Sequence, residues 1–147
     1  MPSPSYVPVV PVRTLYAETG ADFAVTGATG QTSTPLTVRV EAGRRYCLDA
    51  GIIFSCSNTT ASVGLSWTGP TGATMRWNST TASTGYRPTI GGVDSYTGSA
   101  ANRLVFLRGR LVTAAADGLL TLTMSISDPA ETARLYADSW LTLTRVP

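Results

Sequence analysis

The sequence contains no histidine and no lysine; all eleven of its basic residues are arginine. Losing histidine removes the commonest general base and the commonest metal ligand together. Without lysine as well, a serine or threonine has no side-chain base to take its proton, which argues against nucleophilic catalysis. The two cysteines, Cys47 and Cys56, are too few for a zinc site. Charged residues make up 14%, and the net charge of +2 comes from arginines scattered between Arg13 and Arg145. A nucleic-acid surface needs a concentrated basic face, usually interleaved with aromatics, and none is legible. No apolar run approaches the ~20 residues of a membrane span. The opening MPSPSYVPVVPVRT lacks the basic lead and unbroken apolar stretch of a signal peptide. Synthesis in the cytosol, with no cofactor, no metal, no nucleic acid and no membrane as partner, is the expectation.

Catalysis by paired carboxylates finds no support either. Glu41 precedes a turn, Asp117 lies in one, and Asp128 stands before Pro129 where another begins. Glu131 needs a facing acid to act as a glycosidase does, and nothing pairs it with one. Asp49 falls inside an apolar strand, where burial would demand an arginine partner or a structural hydrogen bond. The glycines come as turn pairs, Gly69 with Gly72 and Gly91 with Gly92, and form no phosphate-binding loop. Asn58 and Asn78 open matches to the glycosylation sequon, which chance supplies in a chain this rich in Ser and Thr. The chain is expected not to be an enzyme.

What is abundant is β-forming. Ser and Thr make up about a quarter of the chain, and threonine's branched Cβ favours an extended, half-wet surface. Residues 36–41 alternate cleanly, with Leu36, Val38 and Val40 on one face and Thr37, Arg39 and Glu41 on the other. After a turn at Ala42-Gly43, the run RRYCLDAGIIFSC reads as one strand with apolar residues on both faces around Ile52 to Phe54. Its two cysteines, about 30 Å apart on extended chain and on opposite faces, are expected to be buried free thiols. A hairpin at Gly51 would be needed to bridge them. DFAVT (22–26) is a further strand. ASVGLSW and ATMRW flank the turn GPTG at 69–72 as a hairpin. The strand NRLVFLRGRLVTA ends at Ala116-Asp117-Gly118, an Asp-Gly hairpin signal. GLLTLTMSIS then places Leu120, Leu122, Met124 and Ile126 inward and Thr121, Thr123, Ser125 and Ser127 outward. DPAETA turns the chain into a last strand, RLYADSWLTLTRV. About eight antiparallel strands and no substantial helix describe an all-β jelly-roll sandwich.

Two stretches stand apart. Residues 1–14 form an extended arm in which Pro2, Pro4, Pro8 and Pro11 alternate with Val and Tyr, and residues 15–147 form the sandwich. The arm, through Tyr6, Val7, Val9 and Val10, is expected to attach the domain to a neighbour. Burying those four side chains is worth on the order of 6 kcal/mol before ordering costs. Between Asn78 and Asn102 lies a Ser/Thr/Gly-rich stretch too long for an ordinary loop, with a short strand expected around YRPTIGGV. Trp67, Trp77 and Tyr86 border it. They offer either a flat platform for sugar or, as the two tryptophans packed together, part of the core; the core is preferred.

The runs PLTVRVEAGRRYCLDAGIIFSC, GLSWTGPTGATMRW, RLVFLRGRLVTAAADGLLTLTMSIS and ARLYADSWLTLTRV together resemble the strand-and-turn pattern of small virion proteins of tailed bacteriophages, trimeric jelly rolls similar to tumour-necrosis-factor heads. The resemblance spans roughly residues 36–146, and Asp138 departs from it where a small residue is expected before Ser139. It implies a capsid decoration (cement) subunit: a homotrimer on the virion head surface, seated on the major capsid protein and assembled in the host cytoplasm. The alternative it leaves is a tail-fibre or baseplate head binding host glycan or protein. Strands apolar on both faces put Leu104, Val105, Phe106 and Leu107 at the oligomer interface. If attachment has a polar dock, Arg44, Arg45, Arg108 and Arg110 are its candidates, since their two segments can lie side by side.

Overall fold

The computed structural model describes residue 1, residues 13–80 and residues 89–147. The proposed arm residues Tyr6, Val7, Val9 and Val10, and Tyr86, lie outside them. Eleven strands follow in chain order: β1 Thr14–Glu18, β2 Phe23–Thr26, β3 Thr32–Val40, β4 Arg45–Cys56, β5 Ser62–Thr68, β6 Thr74–Ser79, β7 Asp94–Thr97, β8 Arg103–Val112, β9 Gly118–Ile126, β10 Thr132–Leu135 and β11 Trp140–Val146. They form one seven-stranded and one four-stranded sheet, antiparallel throughout.

Eight of these strands wind as a jelly roll. In the order β1, β3, β4, β5, β7, β8, β9, β11, the first pairs with the last, the second with the seventh, the third with the sixth, and the fourth with the fifth. The ladders β11–β4 and β9–β5 then close each sheet. The other three strands extend this frame. β2 and β10 continue the edge of β4 beyond β11, and β6 lines the outer edge of β8.

Strand β4 carries the larger sheet because its alternation is strict. Tyr46, Leu48, Ala50, Ile52, Phe54 and Cys56 all point into the core at 2% exposure or less. Facing them from the four-stranded sheet are Leu36, Val40, Val63, Leu65, Leu120, Leu122, Met124 and Ile126, each fully buried. Trp67 and Trp77 meet edge to face in this layer, with ring centroids 6.4 Å apart. They do so from opposite sheets. GPTG is therefore not the turn of a hairpin but a corner by which the chain crosses the sandwich.

The Asp-Gly signal at 117–118 is likewise a corner: β8 and β9 lie in different sheets and do not pair. Its loop is pinned to the β3–β4 turn. The Ala42 N–H donates to Asp117 Oδ1 at 2.6 Å, the Gly43 N–H to the Ala114 carbonyl, and the Thr113 N–H to the Arg44 carbonyl. Buried Thr113 adds a hydroxyl that donates to the Glu41 carbonyl at 2.6 Å and accepts from the Arg44 N–H at 2.8 Å.

Other local expectations need adjustment. Cys47 and Cys56 are free and on opposite faces of β4, but Cys47 is exposed, because odd positions of β4 look outward. Of the strand sought around YRPTIGGV, residues 86–88 lie outside the described residues and 89–93 are turn and irregular chain; a strand follows at Asp94–Thr97. Thr121, Thr123 and Ser125 do point outward from β9, yet they are buried. Gln31 covers two of them, accepting from the Thr123 hydroxyl at 2.9 Å and donating to Ser125 Oγ at 2.7 Å.

Candidate interaction surface

The outer face of the seven-stranded sheet is where apolar and charged groups stand uncovered. Period-two alternation divides β8 cleanly: Val105 and Leu107 are in the core at 2% and 0% exposure, whereas Leu104 and Phe106 stand out at 49% and 42%. Of the four residues expected at an oligomer interface, two are thus committed to the sandwich interior. Register sets Leu104 opposite half-buried Ile53, and aligns Phe106, Gly51 and Trp140 in one row across β8, β4 and β11. A Cβ on Gly51 would fall 2.6 Å from Trp140 Nε1, so the glycine is what lets the indole lie against the sheet. A cavity of about 630 Å³ opens here, lined by Trp140 and Phe106 with Asp49, Thr80 and Arg108. Ile53 lies in the run Ile52 to Phe54 that the sequence marked as apolar on both faces, whereas Trp140 did not stand out as a surface residue; the small partner Gly51 opposite it marks the site only once register is known.

The next rows are polar. Asp49 is exposed rather than buried, and Arg108, its cross-strand partner, donates from Nε to Asp49 Oδ1 at 3.1 Å. The arginine partner was foreseen; the exposure was not. On β1, exposed Tyr16 donates its hydroxyl to Glu18 Oε2 at 2.6 Å, which raises the phenol's pKa above its ordinary value.

The candidate dock arginines separate. Arg45 and Arg110 do come together, since β4 and β8 pair along their lengths, and Arg76 of β6 joins them directly opposite Arg110. Arg44 sits instead at the β3–β4 corner, 3.6 Å from Glu41, which also holds Arg13 at 2.6 Å and Arg145 at 3.7 Å. Arg108 is engaged by Asp49.

The remaining acids have structural work. Glu131 accepts from the Ser57 hydroxyl and from Asn58 Nδ2, Asp128 accepts from the Ala130 N–H, and Asp22 from the Ala137 N–H. Among the described residues no three His, Cys, Asp or Glu side chains gather as a metal would require. Trp67 and Trp77, at 0% and 1% exposure, are core and offer no ring face to a sugar.

No family model matches the chain, and no curated protein matches it. Among solved structures it is similar to a chain in the structure of infectious bursal disease virus, Gx strain, with 11% identity and a TM-score of 0.33. The alignment covers 99% of this chain and 45% of that one, so this chain spans less than half of its length. A likeness that distant carries no functional argument.

Proposed function

We propose that the protein is a non-catalytic structural subunit of a virus particle, of the capsid-decorating type, which self-associates as a homotrimer through the outer face of its seven-stranded sheet. The observation that carries this is the apolar cluster of exposed Leu104 and Phe106 with half-buried Ile53 and Trp140 on an otherwise regular strand face. Aromatic and aliphatic groups exposed together on one patch mark an association surface. The seat on the particle is a major capsid protein at the head surface, with residues 2–12 as a second attachment element. A tail-fibre or baseplate head for host glycan is disfavoured, because the two tryptophans that a ring platform would use lie in the core.

Light scattering at micromolar concentration tests the self-association. A trimer mass is expected for the wild type and a monomer for Phe106→Ser, which keeps its near-ultraviolet circular dichroism because the side chain is 42% exposed. A monomeric wild type overturns the association. Copy number per particle, by mass spectrometry, tests the decorating role: a shell subunit is present in large copy number, a tail subunit in few. Deleting residues 2–12 is expected to leave the sandwich folded and to weaken incorporation into particles.

A further inference from the structure

Among the described residues, three arginines on the outer face of the seven-stranded sheet have no acid beside them. Arg76 and Arg110 are direct cross-strand partners on β6 and β8, and Arg45 stands diagonal to Arg110 on β4. All three line one cavity of about 520 Å³ together with Thr74 and Val112. Other arginines hold carboxylates: Arg13, Arg44 and Arg145 on Glu41, Arg108 on Asp49, Arg134 on Asp22. Among the described residues no carboxylate lies within ion-pair distance of Arg45, Arg76 or Arg110, and Asp49, the acid closest in register, is taken by Arg108 at 3.1 Å.

Like charges directly opposite on a ladder destabilise a sheet. A local rule broken without compensation inside the fold is expected where function uses it. The planar guanidinium matches a carboxylate with two parallel hydrogen bonds, and several forks around one cavity suit adjacent carboxylates. Val112, 42% exposed at the same cavity, adds the apolar contact that accompanies arginine at protein interfaces. We infer that this corner docks an acidic segment of a partner protein. A nucleic-acid backbone is the other polyanion to weigh. Its capture uses a track of cations with stacking aromatics along it, whereas these cations converge on one cavity that no aromatic ring lines.

The test is fluorescence anisotropy with a labelled hexaglutamate peptide at low salt. The wild type is expected to bind, and the Arg76→Gln/Arg110→Gln double variant to bind roughly tenfold or more weakly, as loss of charge-assisted hydrogen bonds implies. Arg39→Gln, which removes an exposed arginine from the other sheet, is expected to bind as the wild type does. An equal loss in Arg39→Gln would reduce the effect to net charge and overturn the site. So would no binding by the wild type, tighter binding of duplex DNA with the same variant pattern, or complete displacement by millimolar inorganic phosphate. The double variant is expected to melt at the same temperature or higher, because like-charge repulsion is relieved; a lower melting temperature would make the arginines structural and overturn the inference. Phe106→Ser is expected to bind the peptide normally, so a failure of self-association and a failure of this site read out separately.

Discussion

Trp67 and Trp77 occupy the same layer and share one edge-to-face contact, but their indole nitrogens fare differently. Trp77 Nε1 donates to the Thr89 carbonyl at 3.3 Å, while buried Trp67 Nε1 has no hydrogen-bond partner among the described residues. Replacing either by phenylalanine removes the same volume and much of the same ring contact. Only Trp77→Phe also gives up a hydrogen bond, whereas Trp67→Phe removes an unsatisfied buried donor, a penalty of about 1 to 3 kcal/mol. Trp67→Phe is therefore expected to destabilise less than Trp77→Phe by about that amount in urea unfolding; the reverse order would show that the Trp67 N–H is satisfied in solution. Asp138 also makes sense at this scale. It stood out in the sequence as too large for its place, yet its φ of 69° is left-handed, a conformation that aspartate tolerates better than most residues.

At the scale of elements, what the sequence made legible was the strands; what it hid was which strands meet. β3, β4, β8 and β9 announce themselves by alternation, because a half-buried strand must repeat every two residues. β1 and β7 did not, being short and mixed in character, and their place is assigned by partners far along the chain: β11 for β1 and β5 for β7. The run RLYADSWLTLTRV, read as one last strand, is instead two, β10 and β11, parted by a turn with left-handed Asp138. A tight turn such as Asp117-Gly118 reverses direction equally well within a sheet or between two, so turn chemistry alone could not separate a hairpin from a corner. For the same reason the surface was half legible. Arg45 and Arg110 were within reach of reasoning from sequence, but Arg76 enters only through the β6–β8 register. The corner itself is testable. Thr113→Val keeps the shape but strands the Arg44 N–H and the Glu41 carbonyl at a position 4% exposed, at an expected cost of about 1 to 3 kcal/mol. Thr113→Ser retains both bonds and is expected to cost under about 1 kcal/mol. A shift of the urea midpoint at constant slope measures both; a larger shift for Thr113→Ser than for Thr113→Val would show that the methyl, not the hydroxyl, holds the corner.

For the whole molecule, the seven-stranded sheet presents two surfaces of different physics on one face. The apolar cluster lies around Phe106 and the arginine cluster around Arg110, four residues further along the same strand and so about 13 Å away. Their responses to salt should diverge. Burial of Leu104, Phe106 and Trp140 is not screened by ions, and added salt leaves it unchanged or strengthens it. Exposed guanidinium–carboxylate contacts are screened as the Debye length falls from about 10 Å at 0.1 M to about 3 Å at 1 M. Raising sodium chloride from roughly 0.05 M to 1 M is therefore expected to leave the light-scattering mass of the oligomer intact while weakening hexaglutamate binding at least about tenfold. An oligomer that falls apart in salt would mean that Arg108, Asp49 and their neighbours, rather than the apolar side chains, hold the copies together. Peptide binding that survives molar salt would mean that Val112 and the cavity walls, not the three charges, provide the grip.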